Sequence, residues 1–119
     1  MQSDRRIIKR YNFRYYMRVT DSNTHEIVGY LSDISPQGFK LESPKALTIN
    51  QEYTLRLELT SEMADKPYIV LVAQVMWSLP DPIIPFEYIE GFKIVSISQS
   101  DQDIFNRIME KYGEAESQW

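Results

Sequence analysis

Cysteine is absent from this sequence and histidine occurs only once, and both facts exclude classes of metal binding and catalysis. A chain without cysteine can form no disulfide, no thiolate metal site and no cysteine nucleophile. The single histidine, His25, lies in a polar stretch at residues 22–26, with no second histidine to complete a metal site or a catalytic triad. We therefore expect a protein that is not an enzyme and that needs no metal or cofactor.

Long apolar runs are also missing. The longest mainly apolar stretch, residues 68–79, is interrupted by Gln74 and Ser78 and is too short to cross a bilayer. The N-terminal residues lack the apolar segment of a signal peptide. With 119 residues, of which 43% are hydrophobic, the chain has the size and composition of one globular domain. These features predict a cytoplasmic protein without a membrane span.

Positive charge is scarce outside the N-terminus. Residues 1–18 contain six basic residues and one acidic residue, whereas residues 19–119 contain seven basic and sixteen acidic residues. The body of the chain is therefore acidic and would repel the backbone of DNA or RNA. A small anion that binds the basic arm fits this distribution better than a long polyanion does.

Apolar and polar residues alternate along much of the chain, which predicts β-structure. Six strands are expected at residues 13–20, 26–34, 39–42, 52–60, 68–79 and 88–97. In the second of these, Val28, Tyr30 and Ile34 share a parity and are expected in the core. Asp33 and Ser35 have the opposite parity, which places them outside the core.

One helix is expected after the strands. Ser100 is the predicted N-cap because acidic residues follow it in the first turn, and apolar residues recur at helical spacing over residues 104–112, before Gly113. Three prolines predict a loop at residues 79–85. Six short strands and a terminal helix indicate a small antiparallel barrel or a sandwich, and periodicity alone does not distinguish them.

Asp33 and Ser35 form a polar pair at the end of a predicted strand. Because they are two residues apart, their side chains emerge on one face of an extended chain. Pro36 and Gly38 then favour a turn, and we expect the role of Gly38 to be conformational. Asp33, Ser35 and Gly38 are candidate ligand-binding residues, although local hydrogen bonds to the backbone would also explain the polar pair. The two explanations are compatible because each side chain has several acceptor sites.

Two arginines upstream, Arg6 and Arg10, stand in Arg-x-x-x-Arg spacing. A guanidinium suits phosphate oxygens and guanine edges, whereas a carboxylate such as that of Asp33 can accept hydrogen bonds from the N1 and N2 donors of guanine. The arm alone could be a solvated tail. Taken with Asp33, it indicates a receptor for a guanine nucleotide.

Together the two motifs resemble those of the PilZ family of cyclic di-GMP receptors. The family carries Arg-x-x-x-Arg and then Asp/Asn-x-Ser-x-x-Gly, and this chain has Arg-Ile-Ile-Lys-Arg at residues 6–10 and Asp-Ile-Ser-Pro-Gln-Gly at residues 33–38. The resemblance implies an all-β fold, a six-stranded antiparallel barrel with a C-terminal α-helix. We accordingly divide the chain into a basic arm (residues 1–12), a barrel with its helix (residues 13–113) and a polar tail (residues 114–119).

The resemblance also implies roles for individual residues. Arg6 and Arg10 would grip phosphate oxygens and the Hoogsteen edge of guanine. Some family members stack an aromatic side chain on a guanine base at the position of Trp77, although tryptophan is more often a core residue and we expect that here. Gly91 resembles a glycine that the family often has in its last strand, which indicates a structural role, a bulge or the close approach of another backbone.

Arg5 precedes the arginine motif and bears on stoichiometry. In the family, an arginine at this position tends to accompany two stacked cyclic di-GMP molecules rather than one. A stacked pair brings four phosphodiester charges together, and Arg5, Arg6 and Arg10, with Lys9, would offset their repulsion. We therefore expect two ligands per chain.

The expected function is that of a receptor that binds cyclic di-GMP, changes conformation and signals to a protein partner. One alternative is a PilZ-like adaptor with weak or no nucleotide binding. Another is a small barrel that binds single-stranded nucleic acid, although the acidic body argues against it.

Overall fold

The computed structural model describes residues 11–13 and 17–115, which form eight strands and one helix. The strands are β1 (Tyr11–Phe13), β2 (Arg18–Asp21), β3 (Ile27–Ser35), β4 (Gly38–Ser43), β5 (Glu52–Glu58), β6 (Tyr68–Pro80), β7 (Tyr88–Ile97) and β8 (Gly113–Ala115). The helix, α1 (Gln99–Tyr112), lies between β7 and β8 in the sequence.

Six of these strands close into an antiparallel barrel. Neighbouring strands follow the order β2, β5, β6, β7, β4, β3, and β3 pairs again with β2, so this ring has no open edge. The predicted six-stranded antiparallel barrel with a C-terminal helix is therefore confirmed. Outside the ring, β1 pairs with β3 and β8 pairs with β1.

The core fills the barrel and extends under the helix. The alternation expected in β4 is confirmed, because Phe39 and Leu41 are buried while Lys40 between them faces away. From α1, Phe105 and Ile108 are buried in the same apolar cluster. Burial of each such side chain contributes about 1.5–3 kcal/mol to the free energy of unfolding, which stabilises the barrel and holds the helix against it.

Two predicted boundaries are corrected. β6 continues to Pro80, which is tolerated there because it is the last residue of the strand and lies opposite Tyr88. The helix is capped by Ser98 rather than Ser100, since the Asp101 amide donates to Ser98 Oγ at 3.2 Å. The acidic residue expected three positions after the cap is Asp101, whose carboxylate accepts hydrogen bonds from Lys66 Nζ and the Val70 amide.

A one-residue bulge in β3 changes the predicted core face of that strand. The pairing with β4 shifts between Leu31 and Asp33, so Ser32 is the extra residue. Leu31 and Ile34 are both buried, although they differ in parity. The expectation that Tyr30 faces the core is therefore wrong, and Leu31 takes that place, because an extra residue turns the following side chains to the opposite face.

A second bulge changes the orientation of Trp77. The pairing of β6 with β7 shifts between Val75 and Trp77, so Met76 is the extra residue. Val75 is fully buried, whereas Trp77 is 37% exposed. The expectation that Trp77 belongs to the core is wrong, because the bulge moves it off the face that it would otherwise share with Val75.

Candidate functional site

Cross-strand pairing places two rows of residues on the outer face of β3, β4, β7 and β6. The first row is Asp33, Lys40, Gly91 and Trp77, each opposite the next. The second row is Ser35, Gly38, Lys93 and Gln74. Residues directly opposite one another in antiparallel strands point to the same face. Since neighbouring strands are about 4.8 Å apart, each row crosses roughly 14 Å of the sheet.

Trp77 lies across the backbone of Gly91. A Cβ atom added at Gly91 would overlap Trp77 Nε1 and Cε2 and would lie 2.7 Å from Cζ2. The glycine is thus required by the close approach of the indole ring and not of another backbone, whereas the bulge that the sequence also suggested is present in the opposite strand, between Val75 and Trp77. The ring extends from β6 over β7, toward Lys40 and Asp33 in the same row.

Asp33 lies at the other end of this row and is only 4% exposed. Its Oδ1 accepts a hydrogen bond from the Ile34 amide at 3.0 Å, and its Oδ2 lies 3.3 Å from Lys40 Nζ. These two contacts fix the direction of the carboxylate. A carboxylate has about four acceptor sites, more than these two contacts occupy.

Ser35 and Gly38 shape the turn beside Asp33. The Ser35 hydroxyl donates to the Gly38 carbonyl at 3.2 Å, which is the local backbone bond that the sequence also allowed. The expected conformational role of Gly38 is wrong, because no glycine among the described residues has a positive φ. Instead, a Cβ atom at Gly38 would overlap the carbonyl oxygen of Phe92, so glycine lets β4 and β7 approach closely.

These side chains line a single groove with a volume of about 290 Å³. Asp33 and Ser35 form one wall, and Trp77 forms the opposite wall. Lys40 and Lys93 supply positive charge between them. Pockets for small molecules measure roughly 300–1,000 Å³, so the groove suits one flat, partly apolar group with its polar substituents more than a whole large ligand.

Sequence reasoning did not identify Lys40 and Lys93 as site residues. The parity of β4 correctly turned Lys40 away from the core, but its neighbours Asp33 and Gly91 come from two other strands. Only the strand order brings these residues together. The same holds for Lys93, which lies opposite Gly38.

Glu90 is a third residue that the sequence did not single out. It is fully buried on the inner side of β7, next to Gly91, and its carboxylate accepts hydrogen bonds from the hydroxyls of Ser43 at 2.6 Å and Ser78 at 2.8 Å. These bonds join β4, β6 and β7 directly behind the Trp77 wall. Glu90 therefore supports the site without lining it.

The remaining predicted site residues, Arg5, Arg6 and Arg10, lie outside the described residues. The described chain begins at Tyr11, which lies opposite Ile34, and the next residue, Asn12, lies opposite Asp33. In residues 11–13 and 17–115, no group of three or more histidine, aspartate or glutamate side chains is placed to hold a metal ion.

Comparison with known proteins identifies the family. The sequence matches the PilZ domain family over residues 4–111, so the chain belongs to that family. A search of curated protein sequences found no significant match. None of the helical structure in the described part of the chain has the length and apolar character of a membrane span.

Several solved structures share the fold. The PilZ domain of YcgR from Escherichia coli, solved with c-di-GMP, has a TM-score of 0.68 at 14% identity, with 92% of each chain covered. The Bacillus subtilis inhibitor of motility MotI/DgrA has a TM-score of 0.67 at 17% identity, covering 93% of this chain. The apo structure of MrkH from K. pneumonia has a TM-score of 0.68 at 17% identity, covering 94% of this chain. The present chain spans only 52% of each of the latter two proteins.

Proposed function

We propose that the groove binds cyclic di-GMP and that the chain is a cytoplasmic receptor that reports this nucleotide to a protein partner. The observation that carries the proposal is the single row that has a carboxylate, Asp33, at one end and an indole, Trp77, at the other. A guanine base offers both an aromatic face and an edge with two donors, so the two walls match the two kinds of surface on the same base.

Each wall has a distinct task in this arrangement. Trp77 stacks on the face of a guanine, a contact worth about 1–3 kcal/mol for aromatic–base pairs. Asp33 accepts from the N1 and N2 donors at the guanine edge. Its ion pair with Lys40 keeps the carboxylate directed along the sheet before the ligand arrives.

The charged groups of the groove offset only part of the ligand's charge, because Asp33 neutralises one of the two lysines. Each cyclic di-GMP carries two phosphodiester charges, and Lys40 and Lys93 are the cations that line the described groove. Arg6 and Arg10 would add the guanidinium groups that bind phosphate best. Support for this comes from β1. Its first residue, Tyr11, directly follows Arg10 in the sequence and lies opposite Ile34, the neighbour of Asp33 in β3.

Calorimetric titration with cyclic di-GMP tests the assignment. A charge-assisted contact is worth roughly 1.5–3 kcal/mol, so Asp33→Ala and Arg6→Ala should each weaken binding about tenfold or more. Asp65→Ala and Arg107→Ala are the matched controls, because both residues are exposed and neither lines the groove. GTP and a single-stranded oligonucleotide serve as competing ligands, and equal affinity for all three would exclude a specific receptor.

The same titration measures stoichiometry. We propose two stacked ligands per chain, with Arg5 offsetting part of their four negative charges. Arg5→Ala should then reduce the stoichiometry toward one while binding persists. A value of one ligand per unmodified chain would overturn the stacked pair but would leave the receptor assignment in place.

A further inference from the structure

An apolar surface projects from the end of the barrel, and the nucleotide site does not use it. The loop between β6 and β7, residues 81–87, together with Leu79, is called here the hairpin tip. In it, Phe86 is 91% exposed, Ile83 is 85% exposed and Leu79 is 58% exposed. Large apolar side chains exposed together in one loop often mark an interaction site.

Hydrogen bonds and prolines restrict the conformation of the hairpin tip. The Asp81 amide donates to the Glu87 carbonyl at 2.8 Å and closes the loop. Within the loop, Asp81 Oδ1 accepts from the amides of Ile83 at 2.8 Å and Ile84 at 3.0 Å. Three prolines, at positions 80, 82 and 85, further restrict the backbone. The apolar side chains are therefore displayed in one arrangement, which lowers the ordering cost of binding.

Phe86 adopts a conformation that is unfavourable for an aromatic residue. Its φ is 64°, in the left-handed region where glycine is favoured. The ring gains no compensating burial among the described residues, because it is almost fully exposed. A strained backbone that displays a large apolar side chain to solvent is best explained by a contact made outside the chain.

The charges around the hairpin tip select the kind of partner. Residues 79–92 contain three acidic residues and no basic residue. The carboxylates of Asp81 and Glu87 border the apolar side chains, and hydrogen bonds from the amides of Ile84 and Ile83 lower the pKa of Asp81, so it stays ionised near neutral pH. Membrane surfaces attract lysine and arginine rather than carboxylates, so this composition disfavours a lipid surface.

A second copy of the chain is also disfavoured. In a symmetric contact through this surface, the carboxylates of Asp81 and Glu87 would meet a second surface that carries the same carboxylates and, over residues 79–92, no basic residue to pair with them.

We propose that the hairpin tip docks into an apolar cleft bordered by lysine or arginine on a different protein. Ile83 and Phe86 enter the cleft, while Asp81 and Glu87 meet its basic border. The exposed line from Trp77 to Leu79 along β6 connects the hairpin tip to the groove, so a partner there would also be adjacent to a bound ligand. This docking rests on the proposed signalling to a protein partner but does not depend on nucleotide binding.

Crosslinking and titration together test the proposal. A photoreactive p-benzoylphenylalanine replaces Ile83 in the full-length chain, in cells that express it, and the crosslinked protein is identified by mass spectrometry. That protein is then purified and titrated with the chain. Ile83→Asp and Phe86→Asp should each weaken binding about tenfold to a hundredfold, because each removes a buried apolar side chain. Val95→Asp is the control, since Val95 is similarly apolar and exposed but lies toward the other end of β7.

Charge and strain supply two further readouts. The affinity should fall as ionic strength rises, and Glu87→Lys should weaken binding more than Glu87→Gln does. Phe86→Gly should abolish the contact between the ring and the partner's cleft. The melting temperature should stay unchanged or rise, because glycine accepts a φ of 64° without strain. A merely structural Phe86 would instead lower the melting temperature when replaced.

Several results would overturn the docking proposal. They are the absence of any crosslink, a crosslink only between copies of this chain, binding to phosphatidylcholine vesicles that the Ile83 and Phe86 variants lose, or unchanged affinity of those variants for the purified partner. The variants should bind cyclic di-GMP with the dissociation constant of the unmodified chain. A failure of docking can thus be separated from a failure of the nucleotide assignment.

Discussion

The contact between Gly91 and Trp77 gives the sharpest prediction about the groove. In a strand, replacing glycine by alanine normally stabilises by about 0.5–1 kcal/mol. Here the new Cβ would overlap Trp77 Nε1 and Cε2, so the indole must leave its position. Displacing a side chain that is about two-thirds buried forfeits a large part of the roughly 1.5–3 kcal/mol that such burial contributes. Gly91→Ala should therefore be net destabilising, by about 1 kcal/mol.

The same substitution should weaken ligand binding. If Trp77 no longer lies over β7, the stacking contribution of about 1–3 kcal/mol is lost, which corresponds to about tenfold or more in affinity. Trp77 can be observed alone by tryptophan fluorescence in a Trp119→Phe background, because these are the two tryptophans of the chain. Gly91→Ala should shift the emission toward longer wavelength as the ring becomes more exposed.

A double-mutant cycle supplies the control. In a Trp77→Ala background there is no ring to displace, so Gly91→Ala should become neutral or stabilising. If Gly91→Ala alone leaves emission, stability and affinity unchanged, the inference that the ring covers Gly91 is refuted. If it destabilises equally in both backgrounds, the cause lies elsewhere than in Trp77.

Three further predictions concern the fold around the site. Gly38→Ala should destabilise by about 1–3 kcal/mol in urea unfolding, because its Cβ would overlap the rigid carbonyl of Phe92. Asp101→Ala should cost about 2–3 kcal/mol, since its buried carboxylate accepts from Lys66 Nζ at 2.6 Å and from the Val70 amide at 3.1 Å and joins the helix start to β6. The hairpin tip should loosen in acid: hydrogen bonds lower the folded pKa of Asp81 from 3.8, so its contribution is present above that value and lost as the pH falls through the lower folded pKa. The pH at which the Ile83 and Ile84 amides lose hydrogen-exchange protection would measure this, and protection that persists below that pKa would contradict it.

The strands were predicted well because local pattern and strand pairing agree over most of them, whereas the choice of a barrel rather than a sandwich rested on the resemblance to the PilZ family. Alternation in β4 and β5 reports directly on burial, and Leu41 and Leu57 are buried at the alternating positions of these strands. The helix was likewise evident from its apolar spacing, and only its cap was misplaced by two residues.

The details of the site could not be predicted in the same way. A bulge adds one residue to a strand without a clear sequence signal, so the orientation of Trp77 and the core position of Leu31 depended on pairing that only the folded sheet defines. The contributions of Lys40 and Lys93 depend on strand order, which parity does not supply. Gly38 and Gly91 were recognised as special, but the atoms that require glycine belong to Phe92 and Trp77, which are distant in sequence.

The most direct test of the central claim is a titration of the unmodified chain with cyclic di-GMP, followed by amide and indole NMR chemical shifts. Saturable shifts are expected at the backbone amides of Asp33, Gly38 and Gly91 and at the Trp77 indole N–H, with no comparable change on addition of GTP. Saturable binding whose shifts avoid these four groups, or no saturable shift at all, would contradict the assignment of this groove as the nucleotide site.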